Sequence, residues 1–286
     1  MKRFIEVTMT QERTASFSIA ALFRKQLVLP TEHGSWAWLF VPFAVGTAVS
    51  QTINLPVILT LLAALTTFLM RQPTTVWLRV RRGKARRADG PLALTWMVLL
   101  GGTAVLCNLI LLFMGRTALL WLVLPLIVIF VLYVTAARYG RSGIRSLGME
   151  MSGAAALAMT APAAHIAATG SLSNTAVILW VLLAVQNVVG ALYVRQRIAD
   201  THGRATRRSG LVVAHLFGVL LVLALGFFTP ISWETAVLMT IPFIGVLLRA
   251  LWAAARVHPV DNVKRFGFLE TGVEIVSGLW LVFILA

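Results

Sequence analysis

Residues 117–137 read TALLWLVLPLIVIFVLYVTAA, and residues 138–145, which follow directly, read RYGRSGIR. The first stretch contains no charged side chain, whereas the second contains three arginines. A membrane-spanning helix needs about 20 mostly apolar residues to cross about 30 Å of hydrocarbon. Lysine and arginine collect in cytoplasmic loops because they are poorly translocated. This pair of stretches is therefore typical of a span that ends at the cytoplasmic face of a membrane.

The composition of the whole chain agrees with a membrane protein. Of its 286 residues, 59% are apolar and 12% are charged, against roughly a quarter charged in an ordinary soluble domain. Such a composition excludes a disordered chain and a conventional soluble enzyme. The single cysteine, Cys107, excludes a disulfide framework and a cysteine-based metal cluster.

Nine stretches of the chain are long and apolar enough to predict membrane-spanning helices. They are residues 34–53, 55–73, 91–115, 117–137, 146–168, 175–194, 210–229, 235–255 and 266–286. The eighth contains Arg249, and the ninth contains Glu270 and Glu274. We therefore expect an all-α fold with two parts, a cytoplasmic N-terminal segment over residues 1–33 and a single nine-helix transmembrane domain over residues 34–286.

The lysines and arginines fall almost entirely on one side of this arrangement. Of the 25, only Arg116 lies on the other side, and the rest precede the first span or flank the gaps after spans two, four, six and eight. This sorting predicts a cytoplasmic N-terminus and a C-terminus outside. Basic loops beside anionic lipid headgroups also account for the net charge of +15, so we do not expect nucleic acid as a partner.

The N-terminal segment contains a short amphipathic stretch. Residues 17–23 are mostly apolar and are followed by Arg24 and Lys25. The stretch is too short for a secretory signal and lacks a cleavage site. We therefore expect a helix that lies in the cytoplasmic interface of the membrane.

Several polar side chains lie inside the predicted spans or, for Glu32 and His33, where the first span begins, and most are in the cytoplasmic half. Ionisable groups inside a membrane are expensive, so each marks a candidate site. These side chains belong to spans one, five, six, seven and nine, and they are Glu32, His33, Glu150, Gln186, Asn187, His215, Glu270 and Glu274. Their similar depth predicts a cavity open to the cytoplasm, in which Glu32, His33, Asn187 and the Glu270/Glu274 pair would transfer protons.

Structural roles for the same side chains stay open. His215 can simply form a hydrogen bond between helices. The Glu270/Glu274 pair, which shares one helix face at i, i+4 spacing, can instead bind Arg79 or Arg195 reaching inward.

The densest set of reactive side chains, Glu32-His33-Gly-Ser-Trp36, also has two interpretations. Besides a reactive site, it can be the start of a helix, where an anionic side chain is favoured. In that case Trp36 and Trp38 would belong to an interfacial aromatic belt.

Three short motifs stand out along the chain: LPTEHGSWAWLFVPF over residues 29–43, RQP over residues 71–73 and YVRQR over residues 193–197. Together they resemble the YwiC-like family of bacterial membrane proteins. The resemblance implies a multi-pass protein of the bacterial cytoplasmic (inner) membrane.

The predicted architecture is also similar, more distantly, to UbiA-type intramembrane prenyltransferases. That family has nine helices, an N-terminal interfacial segment and long cytoplasmic loops after spans two and six, the places that residues 71–90 and 195–208 occupy here. Its Asp-rich motifs bind a prenyl diphosphate through magnesium. At the same four-residue spacing this chain has Arg71, Thr75 and Arg79, and then Asn187, Ala191 and Arg195. Arginine does not ligate magnesium, but it neutralises a diphosphate directly through bidentate hydrogen bonds.

We therefore predict a cytoplasm-facing intramembrane pocket for an anionic amphiphile such as an isoprenoid or lipid phosphate. The residues expected to bind it are Arg71, Arg79, Arg195 and Arg197, with Tyr193 and Trp36 beside them. The protein would then be a divergent prenyltransferase-like enzyme without the magnesium motifs, with no metal site and with its cofactor unknown. A proton-coupled transporter and a non-catalytic membrane assembly factor are the alternatives.

Overall fold

The computed structural model describes residue 29 and residues 34–138, 146–204 and 206–286. Within these ranges the regular structure is helical, without strands, which confirms the all-α prediction there. Besides a 3-10 turn at Thr117–Leu119, the helices are α1 (Gly34–Val49), α2 (Leu55–Arg81), α3 (Asp89–Phe113), α4 (Leu120–Arg138), α5 (Leu147–Leu157), α6 (Thr160–Thr169), α7 (Asn174–Thr201), α8 (Arg208–Phe228), α9 (Trp233–Ala255) and α10 (Val263–Leu285). The interfacial helix predicted at residues 17–23 and the predicted site residues Glu32 and His33 lie outside the described residues.

Eight helical segments in the described ranges are long and apolar enough to cross a membrane. Each coincides with a predicted span, and α5 and α6 together form one of the eight. The predicted first span, residues 34–53, is shorter in the structure. Its helix α1 has 16 residues and, at 1.5 Å per residue, is about 24 Å long. The chain is thus a multi-pass membrane protein.

Two helices continue well past the predicted ends of their spans. α2 runs to Arg81 and α7 to Thr201, so more than half of the predicted loops 71–90 and 195–208 is helical. At 1.5 Å per residue these helices are about 40 Å long, longer than the hydrocarbon core of about 30 Å. The loop prediction was wrong because an apolar run ends where the hydrocarbon ends, whereas backbone hydrogen bonds continue into the headgroup region.

A proline interrupts the fifth predicted span. α5 and α6 are separated by residues 158–159, one turn before Pro162. Pro162 has no N–H to donate to the carbonyl of Ala158, and its ring crowds that carbonyl, so the helix breaks there. Pro42 and Pro242 lie inside α1 and α9, which continue through them.

Small residues allow α1 and α6 to approach each other closely. A β-carbon on Gly46 would lie 2.2 Å from the carbonyl oxygen of Ala161, so only glycine fits at this position. The Thr160 hydroxyl donates to the carbonyl of Leu39 at 2.9 Å and joins the same two helices. Small residues therefore serve here as they do in other membrane helix pairs, and α1 and α6 pack with α7 into the largest buried core.

Contacts between helices place the described basic segments that follow α7 and α9 at one end of the bundle. There, Arg208 at the start of α8 donates to the carbonyl of Ala253 near the end of α9, at 2.9 Å. At the other end, Gln51 donates to the carbonyl of Ala286, the last residue, at 2.8 Å. We call the first of these, where α2, α7 and α9 finish, the basic end.

Candidate functional site

Three helices bring arginines and aromatic side chains together near the basic end. The residues are Tyr193 and Arg197 on α7, Arg249 and Trp252 on α9, and Phe266 and Glu270 on α10. Within each helix the two residues are three or four positions apart, so they share one face. We refer to these six residues as the arginine–aromatic cluster.

Arg249 and Glu270 form an ion pair between α9 and α10. Nη2 of Arg249 donates to both carboxylate oxygens of Glu270, at 2.6 and 2.7 Å. The guanidinium carbon also lies 4.3 Å from the centre of the Tyr193 ring, within the range of a cation–π interaction. An arginine inside a membrane helix needs such partners, because an unpaired charge in hydrocarbon is costly.

Arg197 lies among neutral groups of the same cluster. Its guanidinium carbon is 5.7 Å from the Tyr193 ring, 5.1 Å from the Trp252 ring and 5.3 Å from the Phe266 ring. Its Nη1 donates to the Tyr193 hydroxyl at 2.9 Å, and its Nε donates to the carbonyl of His258 at 3.0 Å. These groups hold the side chain in place without cancelling its positive charge.

A buried carboxylate fixes the loop that positions Arg197. Asp200, which is 5% exposed, accepts from Nη2 of Arg208 at 2.7 Å. It also accepts from the backbone N–H of His258 at 3.1 Å and from Gln196 at 2.9 Å. Because the carbonyl of His258 receives Arg197, Asp200 is a positioning residue for that arginine.

An apolar cleft of about 620 Å³ opens between α9 and α10. Its walls include Gly245 on α9 and Gly272 and Val276 on α10. Val276 is 67% exposed, so the cleft is open towards the surrounding lipid. The charged residue in its lining is Arg249, which places the Arg249–Glu270 pair at the end of the cleft nearer the basic end.

A second set of aromatic contacts surrounds the predicted residues Trp36 and Arg71. Trp36 stacks on Phe40, with ring centres 5.9 Å apart, and meets the Phe68 ring edge-on at 5.1 Å. The Arg71 guanidinium lies 5.6 Å from the Phe68 ring and 6.0 Å from the Tyr133 ring. Trp36 and Arg71 therefore both lie beside Phe68, where α1, α2 and α4 meet.

The remaining predicted head-group arginines have other surroundings. Arg195 forms an ion pair with Glu150 of α5, and Arg79 is exposed on α2. None of the four predicted arginines, Arg197 included, lines the α9–α10 cleft. Of the four predicted arginines, Arg197 alone belongs to the arginine–aromatic cluster.

The predicted polar groups of spans six and nine lie deeper in the bundle. Asn187 is fully buried, and its amide nitrogen donates to the carbonyl of Trp38 at 3.2 Å and to the carbonyl of Ala154 at 3.1 Å. Gln186 donates to the backbone carbonyl of Glu274 at 3.2 Å. Asn187 therefore joins α1, α5 and α7, whereas Gln186 joins α7 and α10.

Two of the structural alternatives prove wrong in detail. Glu270 pairs with Arg249 of α9 rather than with Arg79 or Arg195, and Arg195 pairs with Glu150 of α5 instead. The Nδ1 atom of His215 makes its hydrogen bond within α8, to the carbonyl of Leu211 at 2.8 Å, and not between helices.

Sequence analysis missed Arg249, Trp252 and Asp200 as site residues. Arg249 carried a signal, since it is the charged side chain inside the predicted span 235–255, although its charge was counted with the basic loops. Trp252 lies three positions later on the same face. For Asp200 the sequence carried no sign of its interhelical partners, because these come from α8 and from the loop before α10.

Comparison with protein families gives a match to part of the chain. Residues 29–165 match the family model described as YwiC-like protein, so the chain is YwiC-like over that region, which is just under half its length. The match ends before α7, and the arginine–aromatic cluster lies beyond it. No curated protein and no solved structure matches the chain, and the similarity to UbiA-type prenyltransferases stays a prediction.

Proposed function

We propose that this chain is a nine-span protein of the bacterial cytoplasmic (inner) membrane that binds an anionic amphiphile, an isoprenoid or other lipid phosphate, in the α9–α10 cleft. The observation that supports the proposal is an apolar cleft, open to lipid, with an arginine in its lining. An anionic amphiphile matches this cleft, because its tail is apolar and its head is negatively charged.

The tail of the amphiphile would lie along the apolar walls of the cleft. The volume of about 620 Å³ falls within the range of about 300–1,000 Å³ that is usual for ligand pockets. A β-carbon added at Gly245 or Gly272 meets no atom within 4 Å. The two glycines thus leave open space in the cleft, where larger side chains would project.

The head of the amphiphile would bind at Arg249, with Arg197 as the second positive charge. Arginine has five N–H donors, and the pair with Glu270 uses those of Nη2, so the guanidinium still has donors to present to a phosphate oxygen. Arg197 adds charge because its contacts are with neutral groups. We assign Arg71, Arg79 and Arg195 to the headgroups of surrounding lipids at the basic end.

In this proposal the basic end faces the cytoplasm, the N-terminus lies inside and the C-terminus outside. The support is the sorting of lysines and arginines, which favours the cytoplasmic side. The ninth span is α1, whose Leu39 and Val45 are 1% and 4% exposed and pack against the other helices.

The prenyltransferase-like form of the proposal adds a reaction at the same head group. Arginines would neutralise a diphosphate in place of magnesium, and of the predicted proton-transfer groups we propose Glu32, His33 and Glu270 for this reaction. Asn187 and Glu274 do not line the cleft. Release of diphosphate from a prenyl donor without magnesium would support this form. Absence of release over a panel of donors would contradict it.

Retained lipid tests the binding proposal directly. The full chain is extracted in a mild detergent, and the bound lipid is measured by native mass spectrometry. We expect Arg249→Ala to lose about tenfold or more of the bound anionic lipid, because a hydrogen bond to a charged group contributes about 1.5–3 kcal/mol and about 1.4 kcal/mol is tenfold in affinity. Arg265→Ala removes an equal charge at an exposed site on α10 and is expected to retain the lipid.

A cleft-filling pair of variants separates the tail site from the charge. Gly272→Leu projects into the cleft, whereas Gly267→Leu is outside its lining, and neither β-carbon meets an atom within 4 Å. We expect only Gly272→Leu to lose the lipid. Equal amounts of lipid in the wild type, Arg249→Ala and Gly272→Leu would overturn the proposal.

A further inference from the structure

Two buried side chains at the contact between α7 and α10 present oxygens without a donor. Glu274 is 8% exposed and Gln186 is 7% exposed. Among the described residues, Oε1 of Glu274 and Oε1 of Gln186 have no hydrogen-bond partner. The amide nitrogen of Gln186 donates to the backbone carbonyl of Glu274 at 3.2 Å, so this amide lies against residue 274.

The chemistry of the two oxygens points to what is missing. A buried polar atom without a hydrogen bond is costly, and both oxygens are acceptors. An ionised carboxylate only accepts, whereas a protonated carboxyl also carries one O–H donor. A single proton on Glu274 thus supplies the donor that the pair lacks.

We propose that Glu274 and Gln186 form a proton-exchange site inside the membrane, in which Glu274 takes up a proton from water and donates it in a hydrogen bond to Oε1 of Gln186. On release, the proton leaves the carboxyl oxygen for water, and no other bond changes. The site is separate from the proposed lipid site, because neither residue lines the α9–α10 cleft.

The charged and titratable groups around the site suggest the path of the proton. Glu270 lies one turn from Glu274 on α10 and is paired with Arg249 of α9. Tyr193 of α7 lies under Arg249, and His215 of α8 donates within its own helix. The described α1 contributes no titratable side chain.

Glu270 is the titratable neighbour on the side of the basic end. Its side chain is 19% exposed, more than the buried Glu274. The proposed path of the proton therefore runs from the basic end past Glu270 to Glu274.

Infrared difference spectroscopy tests the site. The full chain is reconstituted in phosphatidylcholine vesicles, and spectra are compared between two pH values in the carboxyl C=O region. We expect a protonated-carboxyl band that appears as the pH falls, is lost in Glu274→Gln and remains in Glu270→Gln. In Gln186→Leu the band is expected at higher wavenumber, because the hydrogen bond to the amide is gone.

Three results would overturn the inference: a band that survives Glu274→Gln, a band that Gln186→Leu does not move, and a band that responds to sodium ions and not to pH. Should Glu274→Gln fail to give a monodisperse protein, Glu274→Asp serves the same purpose, since it must shift the band. The carboxyl band is expected to be the same whether or not the protein retains lipid. Failure of the lipid proposal can therefore be distinguished from failure of this inference.

Discussion

The α1–α6 contact and the α9–α10 contact join pairs of membrane helices in opposite ways. At α1–α6, Gly46 lets two backbones touch, and Thr160 bonds a carbonyl of the other helix. At α9–α10, the helices leave a cleft of about 620 Å³ and are tied by the Arg249–Glu270 ion pair and by a hydrogen bond from Trp280 to the carbonyl of Leu238 at 2.9 Å. Close packing between membrane helices thus leaves no room for a ligand, whereas a charge pair can hold helices together across an open space.

The two contacts also lie in different parts of the chain, one inside and one outside the region that matches the family model. Residues 29–165 include α1 and most of α6, whereas the cleft and the arginine–aromatic cluster lie in the part that follows. The YwiC-like region therefore contains the closely packed contact, and the candidate site lies beyond it.

The largest effect is expected from Gly46→Leu. A side chain there must displace the backbone of Ala161, whose carbonyl oxygen is 2.2 Å from the added β-carbon, and backbone cannot move as a flexible side chain can. We expect Gly46→Leu to abolish the monodisperse peak in size-exclusion chromatography, whereas Gly245→Leu, which points into the cleft, keeps it. A monodisperse Gly46→Leu protein with the wild-type melting temperature would show that the close approach is absent.

An intermediate effect is expected from breaking the Arg249–Glu270 pair. Either Arg249→Leu or Glu270→Leu leaves a charge alone in the membrane helices, and we expect each to destabilise by about 2 kcal/mol, between the ranges of about 0–1 kcal/mol for exposed pairs and about 3–5 kcal/mol for buried ones. The double variant should recover part of the loss in thermal unfolding.

The pair of Arg195 with Glu150 is the matched reference for that cycle. Its side chains are 44% and 35% exposed, against 29% and 19% for Arg249 and Glu270. We expect its coupling to be at most about 1 kcal/mol. If the losses in the free energy of unfolding of the Arg249 and Glu270 variants simply add in the double variant, the ion pair is contradicted.

The smallest effect is expected from Asn187→Leu. The substitution keeps the shape but removes the hydrogen bonds to Trp38 and Ala154, and interhelical hydrogen bonds in membranes contribute about 0.6 kcal/mol on average and about 1.7 kcal/mol at most. We expect a loss of about 1 kcal/mol in a thermal unfolding assay. Asn108→Leu is the control, because the Asn108 amide donates to a carbonyl of its own helix. An equal loss of stability in Asn108→Leu would contradict an interhelical role for Asn187.

Sequence reasoning located the helices better than their ends. The apolar runs predicted eight spans that the structure has as helices, because hydrocarbon requires a minimum apolar length. They did not predict that α2 and α7 would continue to Arg81 and Thr201, because helical hydrogen bonding does not stop at the hydrocarbon boundary.

For the candidate site, the sequence predicted the residue types but not their partners. Arg197 and Glu270 were identified as site residues, yet their contacts with Trp252 and Arg249 were not. Spacing within one helix says which side chains share a face, but it does not say which helix lies opposite that face.

The sequence by itself determined that the chain enters the membrane many times and that its cations are sorted to one side. Both follow from one-dimensional patterns, since apolar length and loop charge are set by the bilayer and not by other helices. Only the tertiary structure decided that Arg249 meets Glu270, that Gly46 meets Ala161 and that a cleft opens between α9 and α10. These outcomes depend on how helices distant in sequence pack in three dimensions, where a single side chain decides whether two helices touch or separate.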